Sequence, residues 1–119
     1  MLDGLGFLNY ACPVPKYLVQ ASYTIEGIRG LASDSASGRR ADVQAAVQAV
    51  GGKLECFYYA FGADDAVMIL DLPDNITAAA VGLTTAGSGA VRVRTTPLLT
   101  VEDVDKALEI QMKYRPPGK

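Results

Sequence analysis

The chain contains no histidine and only two cysteines, Cys12 and Cys56, among its 119 residues. The absence of histidine excludes Ser-His-Asp and Cys-His catalysis and every metal site that needs a histidine ligand. Two cysteines without a framework of further ones are typical of reduced thiols, so we expect a cytoplasmic protein. We expect neither a metal nor a cofactor, because no motif for either is present.

Long apolar runs and concentrated charge are also missing. No apolar stretch approaches the roughly 20 residues of a membrane-spanning helix, and the formal net charge is only −2. Basic residues are spread along the chain, whereas nucleic-acid-binding modules usually carry a concentrated basic face. The sequence therefore predicts neither a membrane nor a nucleic acid as a partner.

The residues that are present indicate one small domain with short additions at both ends. Residues 1–14 lack the basic start of a secretory signal and are predicted to be a disordered or loosely packed N-terminal extension. The domain is predicted to span residues 15–114, with a C-terminal tail at 115–119. A domain of this size buries about two-thirds of its unfolded surface, so it needs no disulfide or metal to fold.

Apolar periodicity and turn residues predict an α+β fold. The predicted strands are 16–23, 53–61, 66–72 and 91–99. The predicted helices are 25–31, 39–50, 76–86 and 101–114. The order β-α-β-β-α-β with an additional C-terminal helix is the ferredoxin-like arrangement, in which a four-stranded antiparallel sheet carries its principal helices on one face.

The other face of this sheet is predicted to be apolar. Strand 66–72 is apolar at nearly every position, which is typical of a strand buried on both faces. Period-two alternation predicts that Phe57, Tyr59 and Phe61 share one face of the neighbouring strand. Monomers rarely expose an apolar patch of that size. The pattern favours a homodimer or higher oligomer assembled through this face; the alternative is that the C-terminal helix covers it within one chain.

The leading candidates for a ligand-binding site lie on the first and fourth strands. Arg92 and Arg94 alternate onto one face of the fourth strand together with Thr96, and Gln20 and Ser22 lie on the neighbouring first strand. A guanidinium donates in a planar fork that suits a carboxylate or a phosphate. We expect these residues to bind a small anionic molecule; the alternative is that the arginines are solvated charges on an edge strand, where charge discourages aggregation.

Four further residues are weaker candidates. Arg39 and Arg40 follow a Ser/Gly-rich segment, 33–38, that is predicted to be a loop presenting helix N–H groups to an anion; an ordinary helix entry is the alternative. Asp65 lies in the predicted hairpin turn, where aspartate is common for backbone reasons. Asp71 interrupts an apolar strand, so we expect it to pair with a basic partner such as an arginine.

Several segments of the chain resemble the GYD domain family. They include Gly51-Gly52-Lys53-Leu54 and Val91-Arg92-Val93-Arg94-Thr95-Thr96, and the matches extend from Pro15 to the C-terminus. The motif that names the family is a glycine, an aromatic residue and an aspartate at the hairpin between the second and third strands. Here that stretch is Gly62-Ala63-Asp64-Asp65, with Asp64 at the tyrosine position. The resemblance implies a ferredoxin-like fold of the dimeric α/β-barrel type and little about activity.

Three functions are compatible with these observations. The leading one is a small-molecule binding or sensing module that acts as a homodimer, with an anionic molecule as the candidate ligand. The second is a cofactor-independent enzyme of the dimeric α/β-barrel type, similar to a monooxygenase or an isomerase, and the third is a structural homo-oligomeric assembly protein. Whether the protein is an enzyme is left open by the sequence, because a fold does not determine a function.

Overall fold

A four-stranded antiparallel sheet forms the centre of the computed structural model, which describes residues 14–119. The predicted N-terminal extension lies outside this range except for Val14. The strands are β1 (Lys16–Tyr23), β2 (Lys53–Tyr59), β3 (Ala66–Asp71) and β4 (Val91–Leu98). Their order across the sheet is β2-β3-β1-β4. The predicted ferredoxin-like arrangement is confirmed.

The principal helices lie on one face of this sheet. The helices are α1 (Ile25–Asp34), α2 (Ala36–Ala49), α3 (Asn75–Gly87) and α4 (Val101–Glu109). The core forms where α2 and α3 meet alternate residues of the central strands, including the fully buried Tyr17 and Leu70. The Tyr17 hydroxyl donates a hydrogen bond of 2.6 Å to the Asn75 side chain, so burial leaves no polar atom of that ring unpaired. None of the helices within residues 14–119 is long and apolar enough to cross a membrane.

The junction between α1 and α2 is a single residue, so the loop predicted at 33–38 is wrong. Ser35 adopts a φ of 74° between the two helices, and its hydroxyl oxygen accepts a hydrogen bond of 3.0 Å from the backbone N–H of Gly38. A serine at the N-cap satisfies an N–H group that has no partner within the helix. The segment that was expected to bind an anion is therefore the capped first turn of α2.

A β-bulge in β2 reverses the predicted direction of the aromatic side chains. Leu54 lies opposite Leu70 and Cys56 opposite Ile69, so Glu55 is an extra residue without a partner on β3. One extra residue moves every later side chain of a strand to the other face. Phe57 consequently packs against the core. The prediction that Phe57, Tyr59 and Phe61 line the helix-free face is wrong.

The helix-free face, called the open face below, is nevertheless apolar at its centre. Its residues Leu18, Val67, Ile69 and Cys56 are half-buried. Tyr58 lies beside them and is 70% exposed. The bulge therefore exchanges the aromatic residues of the open face but does not make that face polar.

Helix α4 is shorter than predicted and ends at Glu109 rather than at residue 114. Thr100 and Asp103 form a capping box, in which each side chain accepts a hydrogen bond from the backbone N–H of the other residue. No residue of α4 is buried. A short helix without packing partners is marginal in water, which explains why it does not continue along the tail.

Candidate functional site

The open face carries all five of the leading candidate residues. The β1–β4 register places Gln20 opposite Arg94 and Ser22 opposite Arg92, so the alternation that was read from the sequence gives the right face. Arg92 and Thr96 are exposed on the same face. The two arginines therefore border one edge of the open face, with the polar side chains of β1 beside them.

A carboxylate of the chain itself occupies the centre of this cluster. The Arg94 guanidinium donates to Asp64 Oδ2 at 2.7 Å, and the side chains of Gln20 and Ser22 each donate to the same carboxylate at 3.3 Å. The Asp64 side chain is only 14% exposed, whereas that of Arg94 is 66% exposed. The Asp64 carboxylate thus occupies the position beside Arg94 where an anionic ligand was expected.

A second charged cluster lies at the opposite end of the open face. Lys16 Nζ lies 2.7 Å from Asp71 Oδ1 and also contacts the Glu55 carboxylate. Hydrogen bonds to Asp71 and then to Glu55 raise the pKa of Lys16 above its usual range. The expected basic partner of Asp71 is therefore a lysine rather than an arginine. This cluster closes one end of the open face and gives Asp71 the basic partner that a carboxylate in an apolar strand needs.

A cavity of about 210 Å³ lies on the other side of the sheet, between β1, β3 and β4 and the helices α2 and α3. Its wall is mainly apolar and includes Val43, Val47, Phe57, Met68, Leu70 and Val93. Pockets with an apolar wall and a few polar groups are the usual form of small-molecule sites. This cavity lies on the helix-covered side of the sheet, away from the leading candidate residues of the open face.

The mouth of the cavity carries one basic residue, Arg39, which was only a weaker candidate in the sequence. Arg39 is half-buried on α2 and lies beside the phenol of Tyr23. The salt bridges formed within residues 14–119 do not include Arg39. Asp42 also lines the cavity, one turn further along α2, but it is exposed. The guanidinium is thus available to a ligand that enters the cavity.

Two tyrosines flank Arg39, and both are held in the neutral form. Burial raises the pKa of Tyr23 above its ordinary value, although Arg39 acts in the opposite direction. Burial and the neighbouring Tyr23 raise the pKa of Tyr59, whose hydroxyl donates to the carbonyl oxygen of Ala36 at 3.0 Å. Neutral phenols donate hydrogen bonds and do not act as bases. Tyr59 does not line the cavity and its hydroxyl already has a partner, so Tyr23 is the phenol that lies beside Arg39 at the cavity.

The cavity was not predicted from the sequence, because it forms where small side chains leave space between the sheet and the helices. Ala21 on β1, Ala46 on α2 and Gly82 on α3 all line it. A Cβ atom at Gly82 would meet no heavy atom within 4 Å. Small residues at inward positions on these three elements are the signal in the sequence, and small residues are common enough that the signal is weak. Arg40 lies outside the cavity, in a shallow groove with Tyr59.

Comparison with known proteins identifies the family. The family model described as the GYD domain matches residues 17–108, which is most of the chain. The chain belongs to the GYD domain family. The resemblance seen in the sequence is therefore confirmed. No curated protein and no solved structure matches the chain.

The loop that carries the motif of the GYD domain forms hydrogen bonds to β1 through both of its aspartates. Asp64 reaches the open face, as described above, whereas Asp65 Oδ2 accepts a hydrogen bond of 2.8 Å from the backbone N–H of Tyr23. The N–H of Asp65 donates to the carbonyl of Ala21 at 2.8 Å. In this GYD domain the aspartate of the motif therefore fixes the end of β1 from which Tyr23 borders the cavity. These hydrogen bonds give Asp65 a structural role.

Proposed function

We propose that this GYD domain is a homodimeric module that binds a small carboxylate with an apolar body in the cavity between the sheet and helices α2 and α3. The observation that supports this most directly is the position of Arg39. It is the basic residue at the mouth of an otherwise mainly apolar cavity. A carboxylate would pair with the guanidinium while its hydrocarbon part enters the cavity. Arg94, in contrast, already has Asp64 as its anion.

The volume of the cavity limits the size of the ligand. An engineered protein cavity of about 150 Å³ binds benzene, and the cavity here is about 210 Å³. The difference is roughly the room that a short substituent on an aromatic ring requires. Aryl-substituted acetic acids and branched acids of about six to nine carbons are therefore the ligand class that we propose, by the same scale.

The chemistry at the mouth favours binding over catalysis. The phenol of Tyr23, which lines the cavity, has a raised pKa, and the chain has no histidine. A general base works best with a pKa near the operating pH, and this phenol does not have one. This supports the binding module over the cofactor-independent enzyme as the function of the site.

Replacing Arg39 with alanine is expected to weaken the binding of phenylacetate by about 10-fold to 100-fold. A hydrogen bond to a charged group contributes about 1.5–3 kcal/mol, and this variant removes the cation that would make it. Titration calorimetry, supported by thermal shift, measures the loss. Phenylethanol, which has a similar body but no charge, should bind to both proteins with similar, weak affinity.

Arg29 provides the matched control. It is exposed on α1 and does not line the cavity, so Arg29→Ala removes the same charge from the protein and should leave phenylacetate binding unchanged. Equal loss in both variants would mean that only the overall charge matters. Undiminished binding by Arg39→Ala would contradict the proposed role of Arg39.

The homodimer is supported by the apolar centre of the open face. Leu18, Val67 and Ile69 lie there without a helix above them, and large apolar patches on soluble proteins usually mark an interface. A two-fold axis would bury the same patch on both copies. The proposed interface and the proposed cavity lie on opposite faces of the sheet, so assembly leaves the mouth of the cavity open.

Sedimentation equilibrium should give a mass of about twice the 12.5 kDa of one chain. The measurement should be made at micromolar concentration and repeated with phenylacetate present. A mass of one chain throughout would contradict the homodimer without bearing on the cavity. A mass above two chains would favour the structural assembly protein instead.

A further inference from the structure

The last nineteen residues, 101–119, form an arm with an unusual number of exposed apolar side chains. We call this segment the C-terminal arm. In α4, Val101, Val104 and Leu108 are spaced so that they share one side of the helix, and they are 75%, 43% and 78% exposed. The tail continues the pattern at alternate residues with Ile110, Met112 and Tyr114. A row of apolar side chains that stays exposed in its own chain indicates a surface that contacts another molecule.

The arm does not cover the open face of its own sheet. Only two residues separate the end of β4 from the start of α4, and the capping box at Thr100 and Asp103 fixes the direction in which the helix leaves. Helical side chains of α4 remain exposed along its whole length apart from the partly covered Asp103. The open face and the arm of one chain are thus two apolar surfaces that do not meet.

The open face has a limited extent. Four strands about 4.8 Å apart and about seven residues long, at about 3.3 Å per residue, give a flat outline of roughly 450 Å². A stable interface buries about 800 Å² of accessible surface on each partner, and the arm adds exposed apolar surface to what the sheet alone can bury. Within residues 14–119 the arm follows directly from the end of β4.

We propose that the C-terminal arm of one copy packs its apolar side across the open face of a second copy, and that the second arm does the same in return. The inference rests on the proposed homodimer and adds a partner surface to it. The apolar stripe of α4 would meet the centre of the open face around Leu18 and Ile69. An exchange of arms satisfies both surfaces at once in a closed two-fold arrangement.

Length and charge are compatible with this exchange. Helix α4 is about 14 Å long, and the ten residues after it reach up to about 33 Å. The sheet is only about 19 Å wide, so the arm can cross it. The polar side of α4 carries Glu102, Asp105 and Glu109. On the open face Arg92 is exposed and pairs with no carboxylate of the described residues, so it is available to that acidic side.

The test uses the full chain with single substitutions in the arm. Leu108→Asp and Met112→Asp each place a charge on the apolar side of the arm, and Gln111→Asp places the same charge on an alternate, exposed position. Sedimentation equilibrium should show a dimer dissociation constant at least tenfold higher for the first two than for the wild type. The Gln111→Asp control should lie within twofold of the wild type. Phenylacetate binding should be the same in all four proteins.

Each other outcome contradicts the exchange in a distinguishable way. Dimers of normal affinity in Leu108→Asp and Met112→Asp would overturn the exchange and leave the homodimer standing. A monomeric wild type would overturn both. If the two variants lowered the midpoint of thermal unfolding of a monomer, the arm would pack on its own chain, and the exchange would be wrong.

Discussion

Replacing Gly27 with alanine should destabilise the domain by about 3 kcal/mol. A Cβ atom at this position would lie 1.9 Å from the carbonyl oxygen of Ala90 and 2.9 Å from its carbonyl carbon. These are backbone atoms of the residue immediately before β4, so they cannot move away as the end of a flexible side chain could. The same oxygen accepts hydrogen bonds from the N–H and the hydroxyl of Thr24, at 3.0 and 3.2 Å. Overpacking costs about 1–3 kcal/mol, and a weakened hydrogen bond adds about 1 kcal/mol.

Gly30, one turn further along α1, is the matched control. A Cβ atom there meets no heavy atom within 4 Å, and alanine is favoured over glycine in a helix by about 0.5–1 kcal/mol. Gly30→Ala should therefore raise stability while Gly27→Ala lowers it by an amount equivalent to roughly 10 °C in melting temperature. Urea unfolding of both variants measures the difference. Equal effects of the same sign would show that α1 does not dock on Ala90 as described.

Replacing Leu70 with alanine should cost about 2–5 kcal/mol, the range for truncating a fully buried leucine. Leu70 is 1% exposed and lines the cavity. The substitution joins the space of the missing side chain to a cavity that is already present, which leaves the surrounding atoms without contacts. Benzene should then restore part of the lost stability, because a ligand that binds only the folded state stabilises it by mass action.

Leu83→Ala on α3 removes the same atoms from a residue that is 75% exposed. We expect a change of about 0.5 kcal/mol or less there, as for most surface substitutions, and no restoration by benzene. Thermal unfolding with and without benzene compares the two variants. If Leu70→Ala lost little stability, the walls of the cavity would have to collapse onto the vacated space, and the cavity would not be a preformed site.

The fold was largely predictable because its strands alternate or are uniformly apolar over several residues. Strand β1 was found with its observed bounds, Lys16–Tyr23, and the apolar run 66–72 differs from β3 by one residue. The errors arose where one residue changes the local geometry. Glu55 forms a bulge that no periodicity announces, and Ser35 separates two helices by a single positive φ.

The candidate site was predictable only in part. Alternation correctly brought Gln20, Ser22 and Arg94 onto one face. It did not reveal that Asp64 would reach them from the β2–β3 loop, because the path of a loop side chain depends on tertiary structure. Arg39 was considered for its place at a helix start, yet what gives it a potential role is a cavity formed by small residues from three separate segments.

The bulge at Glu55 has a consequence for how such a domain can change. Because Glu55 is the residue without a partner, deletion of its codon would restore a regular ladder and leave Phe57 in the core and Tyr58 on the open face. The bulge is therefore a place where the domain can change in length while the cavity wall and the open face keep their residues.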